Sequence, residues 1–235
     1  MRLLVTRPQP DAERTAAVLH GRGHEVALAP LLAFAATAAA LPRGPWAGVL
    51  LTSLNAVRAI HDDPAAAPLR SLPVLTVGDR TAEAARAAGF ADVQSASGDA
   101  RDLVRLAARR FMGGRLLYLC GEHRAADLAA ALADAGIVVA TVAVYRMNAA
   151  ERFPPAVAES LAGRRIDGVL HYSRRTAEAY LACAQAGGIL APALAPIHYA
   201  LSAAVAAPLR AAGAAHVSVA ATPDEAALLR ALEGR

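Results

Sequence analysis

Five short polar turns follow apolar runs in this chain, and they hold most of the residues able to do chemistry. Thr52-Ser53-Leu54-Asn55 follows Val49–Leu51, and Val77-Gly78-Asp79-Arg80-Thr81 follows the run that begins at Val74. Cys120-Gly121-Glu122-His123-Arg124 follows Leu117–Leu119, Tyr172-Ser173-Arg174-Arg175-Thr176 follows Val169–His171, and Leu201-Ser202-Ala203 follows Ile197–Ala200. A turn from strand into helix presents free backbone N–H groups and the positive end of a helix dipole, which suits carboxylate or phosphate. The same Ser, Thr and Asn residues are also ordinary helix N-caps, and for any single turn capping is the simpler reading. Five such turns aimed at one cleft point to an extended anionic ligand.

Other chemistry is sparse. There is no P-loop, no Gly-x-Gly-x-x-Gly after a strand and no Gly-x-Ser-x-Gly elbow. The seven His are scattered without a His-x-x-x-His or paired-carboxylate set, so no metal is expected. Two Cys exclude a disulfide framework, and Cys120 reads as a small buried apolar residue before it reads as a nucleophile. Tyr145 closes the run Val142–Val144 and precedes Arg146; it is either a boundary aromatic with a wet hydroxyl or a donor in a cleft.

Composition narrows the class further. The 235 residues carry a formal charge of +4, and all 24 cationic side chains are Arg. GC-rich coding is the simpler explanation of the bias; the functional reading is that the guanidinium fork suits carboxylate and phosphate. The Arg residues are dispersed and aromatics make up only 4% of the chain, which argues against a nucleic-acid partner. The long uncharged stretch Tyr180 to Leu209 is interrupted by Gly187-Gly188, Pro192, Pro196 and Pro208, so no membrane span is expected. Leu3-Leu4-Val5 ends at once in Thr6-Arg7-Pro8, so no export leader is read and a cytoplasmic protein is expected.

The elements that must position these residues alternate. Strand-like runs at Arg2–Thr6, His24–Leu28, Ala47–Leu51, Val74–Val77, Arg115–Leu119, Val138–Tyr145, Gly168–His171, Ile197–Leu201 and Val217–Val219 are separated by Ala-rich helical segments. That pattern predicts βαβ units and a parallel sheet. The last helix is predicted to begin with Thr222 as N-cap, Pro223 in first position and Glu225 closing a capping box.

The chain also echoes itself. Arg2-Leu3-Leu4 returns 113 residues later as Arg115-Leu116-Leu117, with Gly23 as Gly136 and Val26 as Val139. Gly48-Val49-Leu50 returns after 120 residues as Gly168-Val169-Leu170, and Ser53 as Ser173. Ala85–Gly89 resembles the stretch up to Gly213 at an offset of 124. Two similar α/β domains with a ligand cleft between them are therefore expected, and the repeat alone cuts the chain near Gly113.

Val5-Thr6-Arg7-Pro8, Thr52-Ser53-x-Asn55-Ala56-Val57, Val77-Gly78-x-x-Thr81-Ala82, Val144-Tyr145-Arg146 and Pro223-Asp224-Glu225-Ala226 stand in an order and spacing that resemble the uroporphyrinogen-III synthase family. The resemblance covers essentially the whole chain. It implies two doubly wound parallel-sheet domains joined by a two-stranded connector. Domain 1 is then discontinuous, residues 1–33 with 151–235; domain 2 is 40–143; and the connector is 34–39 with 144–150. The implied reaction is cyclisation of hydroxymethylbilane, a linear tetrapyrrole with eight carboxylates, with loss of water and inversion of ring D. It needs no cofactor.

Carried over by position, the resemblance makes Tyr145 the proton donor or orienting hydroxyl. It makes Arg7, Ser53, Asn55, Thr81, Gly121, Ser173, Arg174 and Ser202 substrate-binding residues. Val205 departs from the pattern, standing where the second repeat would match Thr81 with a hydroxyl. A monomer is expected, with the preceding pathway enzyme as a conceivable partner. The alternative reading is a non-enzymatic two-domain α/β protein that binds a small anion.

Overall fold

The computed structural model describes residues 1–124 and 126–233. The chain runs β1 (Arg2–Val5), α1 (Asp11–Gly21), β2 (Glu25–Leu28), β3 (Leu32–Ala36), β4 (Gly48–Leu51) and α2 (Leu54–Ile60). After a 3-10 helix at Pro64–Ser71 come β5 (Pro73–Thr76), α3 (Asp79–Ala87), β6 (Asp92–Ser95), α4 (Ala100–Arg110) and β7 (Gly114–Gly121). Next are α5 (Leu128–Ala133), β8 (Ile137–Ala149), α6 (Pro155–Ala162), β9 (Gly168–His171), α7 (Arg174–Ala186) and α8 (Leu190–Ala193). The chain ends with β10 (Ile197–Ala200), α9 (Ala203–Ala211), β11 (Val217–Val219) and α10 (Glu225–Arg230). Among the described residues no helix is long and apolar enough to cross a membrane.

The chain divides into two compact units, Met1–Ala33 with Asn148–Arg235, and Phe34–Met147. Unit 1 is built on a five-stranded parallel sheet ordered β11-β10-β9-β1-β2. Unit 2 is built on a sheet ordered β3-β8-β7-β4-β5-β6, parallel from β8 onward. The chain enters unit 2 along β3 and leaves it along the far half of β8. β8 is one continuous strand of 13 residues, where the sequence suggested a strand ending at Tyr145 and a separate connector.

The internal echo is a repeat of strand register. Leu3 pairs with Gly168, and 113 residues on Leu116 pairs with Gly48. Leu3 pairs with Val26 as Leu116 pairs with Val139. Val169 pairs with His198 as Val49 pairs with Val74, and His198 with Val217 as Val74 with Val93. The first βα repeat is exchanged, however. β1 and β2 join β9–β11, while β7 and β8 join β4–β6. A cut near Gly113 is therefore not the one the contacts make.

Both faces of each sheet are covered by helices, so the strands read as continuous apolar runs. In unit 1, Leu4 and Val169 face one core, while Leu3, Val5 and Leu170 face the other. In unit 2, Val49, Leu51, Leu117 and Leu119 alternate with Leu50, Leu116, Tyr118 and Cys120. Each central strand opens on a glycine for a steric reason. A Cβ on Gly168 would lie 2.8 Å from the Tyr199 ring and 3.0 Å from Leu3, both fully buried. Gly168→Ala is expected to destabilise the protein by about 1–3 kcal/mol, the usual cost of overpacking a core. Thermal unfolding measures this, and an unshifted melting temperature contradicts it.

Several boundaries differ from the sequence reading. α10 is capped by Asp224, whose carboxylate accepts the Ala227 N–H at 2.8 Å, so the helix begins at Glu225 and Thr222 is not its N-cap. The sequence at 125–135 reads as a helix; α5 starts at Leu128 with Asp127 as cap, and Ala125 lies outside the described residues. β7 extends through Cys120 to Gly121, residues read from sequence as a turn. The 3-10 helix and α8, both Ala- and Pro-rich, carry too little periodicity to be read as helices.

Candidate functional site

In a doubly wound sheet, a crevice opens at the carboxyl ends of the two adjacent strands whose connections depart in opposite directions. In unit 2 those strands are β4, which leads to β5, and β7, which leads to β8. A pocket of about 410 Å³ occupies that position. Thr52 and Ser53 line it after β4, Gly121 lines it at the end of β7 and Arg124 beyond, and Tyr118 and Tyr145 contribute phenol rings. A larger cavity of about 740 Å³ lies against Leu41, Trp46, Leu69 and Leu72. That one adjoins the starts of β4 and β5, away from the strand ends that present helix N-termini.

Tyr145 is held by three neighbours. A β-bulge between Cys120 and Gly121 sets Gly121 opposite Tyr145, and the Glu122 N–H donates to the Tyr145 carbonyl at 3.0 Å. A Cβ on Gly121 would lie 2.7 Å from Tyr145 Cζ and 3.0 Å from its hydroxyl, so only glycine leaves room for the phenol. Phe34 stacks on the Tyr145 ring with centroids 6.0 Å apart at 27°, and the Arg58 guanidinium lies 4.4 Å from the Phe34 centroid.

The sequence reading passed over Tyr118. It lies in an unbroken apolar strand, and nothing local marks one residue of such a run as pocket-facing. Its hydroxyl is 2.9 Å from Thr52 Oγ1, and burial pushes its pKa up. Cys120, on the same face, is buried, its thiol donates to the Val142 carbonyl at 3.5 Å, and burial pushes its pKa up as well. Neither observation favours a thiolate nucleophile.

At the corresponding strand ends of unit 1, after β1 and β9, the polar side chains bond one another. Arg7 donates to Asp11 at 2.9 Å and to Glu225 at 2.8 Å, with its guanidinium 4.1 Å from the Tyr172 ring centroid. Glu225 Oε1 also accepts from Thr15 at 2.5 Å and from the Tyr172 hydroxyl at 3.1 Å. Burial alone would raise the Glu225 pKa, but the Thr15, Arg7 and Tyr172 interactions more than reverse this and hold it below the usual value. Burial pushes the Tyr172 phenol up to about 12. The carboxylate partners of Arg7 in the structure are thus Asp11 and Glu225, both within unit 1.

Of the remaining expected residues, Ser53, Gly121 and Tyr145 come together in the unit 2 pocket. Ser53 also caps α2, accepting the Asn55 N–H at 3.1 Å. Asn55 directs its amide to Met147 at 3.6 Å, and Thr81 is buried in the first turn of α3; neither lines the pocket. In unit 1, Ser173 caps α7 and bonds Thr176, and Arg174 pairs with Glu178 at 2.8 Å. Ser202 occupies the cap position of α9 without a side-chain capping bond. Among the described residues no group of three or more His, Cys, Asp or Glu side chains is arranged to hold a metal.

One buried titratable pair lies in the unit 1 core. His171 Nε2 and His198 Nδ1 are 3.0 Å apart, both rings are fully buried, and Tyr180 packs edge-on against each. Burial drives the pKa of His198 down to about 4 and that of His171 well below its ordinary value. An unfolded His binds a proton near pH 6.5, while these two stay neutral in the fold, so the unfolded chain takes up more protons below that pH. Unfolding stability is therefore expected to fall between pH 6.5 and 4, by on the order of 3 kcal/mol from His198. Chemical denaturation at pH 7, 5.5 and 4.5 reads this directly, and a flat profile would refute it.

The model of the family described as uroporphyrinogen-III synthase HemD matches residues 13–230. No curated protein matches the chain in sequence. Among solved structures, a uroporphyrinogen-III synthetase from Helicobacter pylori is similar with a TM-score of 0.71 at 18% identity, with 100% of both chains covered. A triple mutant of uroporphyrinogen III synthase from Thermus thermophilus is similar with a TM-score of 0.56 at 20% identity, again over 100% of both chains. At these identities the structural matches speak for the fold, and the family model speaks for the family.

Proposed function

The chain belongs to the uroporphyrinogen-III synthase HemD family, and from that premise we propose how its residues close a linear tetrapyrrole. The family's activity makes it a cyclising lyase. The substrate is hydroxymethylbilane, which loses water and inverts ring D on the way to uroporphyrinogen III.

The observation that best supports a site in unit 2 is the phenol of Tyr145 seated on Gly121 at the crevice between β4 and β7. The electron-rich pyrrole expels its own hydroxyl, so the protein must supply a proton rather than a nucleophile. Tyr145 gives its proton to the departing hydroxyl, which leaves as water, and an azafulvene electrophile remains. The substituted carbon of ring D attacks that electrophile and forms a spiro intermediate. The ring fragments and recloses inverted, and the pyrrole proton lost at closure returns to the phenolate. Spontaneous closure gives the uninverted isomer I, so the enzyme's task is mainly to hold the chain in the folded shape that favours attack at the substituted carbon.

Carboxylates are held by the turn at Thr52-Ser53 with the charge of Arg124 nearby, and in unit 1 by the turns at Ser173-Arg174 and Ser202. Asn55 in the first turn of α2 and Thr81 in the first turn of α3 stand at helix starts of the same kind. The protein works as a monomer. The test is direct: incubate it with hydroxymethylbilane, oxidise the product and read the isomer ratio. Isomer III in large excess is expected, and the spontaneous excess of isomer I would overturn this function. Mass spectrometry during turnover should find no adduct on the protein, because no nucleophile takes part; an added substrate mass would overturn the mechanism.

A further inference from the structure

The two crevices are equivalent by register, yet only that of unit 1 carries a carboxylate bonded to the turn after its strand. Thr52 of unit 2 corresponds to Tyr172 of unit 1, 120 residues later, as Ser53 corresponds to Ser173. The helices that follow the edge strands β6 and β11 each begin after an Asp cap, Asp99 before Ala100 and Asp224 before Glu225. Ala100 therefore stands where unit 1 carries Glu225. In unit 1 that carboxylate accepts a hydrogen bond from the Tyr172 hydroxyl at 3.1 Å. In unit 2 no carboxylate occupies the position, and Ala100 lines the open pocket.

The hydroxyl count is consequential. Tyr118 and Thr52 together hold two O–H protons, and the bond between them at 2.9 Å uses one. Neither side chain makes another hydrogen bond among the described residues. Asp99 also lines the pocket, but its Oδ1 accepts the Arg101 N–H at 2.7 Å and the Asp102 N–H at 3.2 Å, which turns it toward its own helix. Burial pushes the Tyr118 pKa up, and Arg124, whose charge acts on it in the opposite sense, lines the same pocket.

Resting on the function proposed above, we infer that the Tyr118–Thr52 hydroxyl pair is a carboxylate subsite of unit 2, in which a substrate carboxylate takes the place that Glu225 fills in unit 1. The phenol, the stronger donor, gives its proton to Thr52 Oγ1, and the Thr52 O–H is turned outward to the carboxylate. Arg124 supplies the compensating charge. Thr52 touches the ligand, whereas Tyr118 is a positioning residue that acts through Thr52.

A double-mutant cycle tests this. Thr52→Val is expected to raise KM for hydroxymethylbilane about tenfold and Tyr118→Phe about fivefold, the size of one hydrogen bond, with kcat nearly unchanged. The double variant should be no worse than Thr52→Val alone, and Thr52→Ser should recover most of the wild-type KM. Additive effects of the two substitutions, or a fall in kcat with KM unmoved, would overturn the subsite. Melting temperatures of all four variants separate a folding defect from a binding one, and Thr52→Ser keeps the hydroxyl if Thr52→Val folds poorly. A wild-type protein that yields only isomer I defeats the proposed function; a wild type that yields isomer III with an additive cycle defeats the subsite alone.

Discussion

Tyr145→Phe is expected to slow ring closure by about 10²-fold, the lower end of what a positioned general acid contributes. The variant loses one oxygen and keeps the ring, so the contact with Phe34 and the seat on Gly121 remain. The loss should fall on kcat, because the proton is needed at departure of the hydroxyl and not for binding. Product released by the variant should still be mainly isomer III, since the fold that holds the chain is unchanged. A coupled assay with the preceding deaminase, followed by isomer analysis, reads both quantities. Wild-type turnover in this variant would remove Tyr145 from the chemistry.

Gly121→Ala is expected to be nearly as damaging to turnover, about 10-fold to 10²-fold, while costing little stability, because it displaces the same proton donor without removing it. The new methyl group would lie 2.7–3.0 Å from Tyr145 Cζ, Cε2 and hydroxyl. Backbone is not the obstacle; the obstacle is the far end of a half-buried side chain, which can swing away. The phenol, and not the sheet, therefore yields. A melting temperature close to wild type together with a steep fall in kcat is the expected signature. Full activity would mean that the seat of Tyr145 on Gly121 is incidental, and a collapsed melting temperature would mean that the β7–β8 bulge cannot adjust.

The contrast between Arg7 and Thr52 shows how far local reading reaches. Both belong to polar turns at strand ends, and both are chemically fit to meet a carboxylate. Arg7 finds Glu225, which is 218 residues away, and no local pattern announces that pairing. The same pairing explains the misplaced start of α10. Glu225 cannot reach back to close a capping box while it accepts from Arg7, Thr15 and Tyr172, so Asp224 does the capping. Tyr118 failed to stand out for the converse reason. In a strand buried on both faces, alternation does not say which face ends in a pocket.

By itself, the amino-acid order determined the alternation of strands and helices, the turns that carry hydroxyls, and the repeated register that later appeared in four pairs of strands. These follow from periodicity, capping and glycine placement, all short-range. Only the tertiary structure decided that β1 and β2 join β9 while β7 and β8 join β4, and which polar turn is left open. β1 and β7 present the same apolar faces, so the choice between partners rests on contacts far apart in the chain. Tyr199 and Leu3 close over Gly168 in one sheet and Phe111 over Gly48 in the other. A carboxylate at residue 225 then bonds Arg7 and Tyr172 in one crevice, while an alanine at residue 100 lines the pocket of its counterpart.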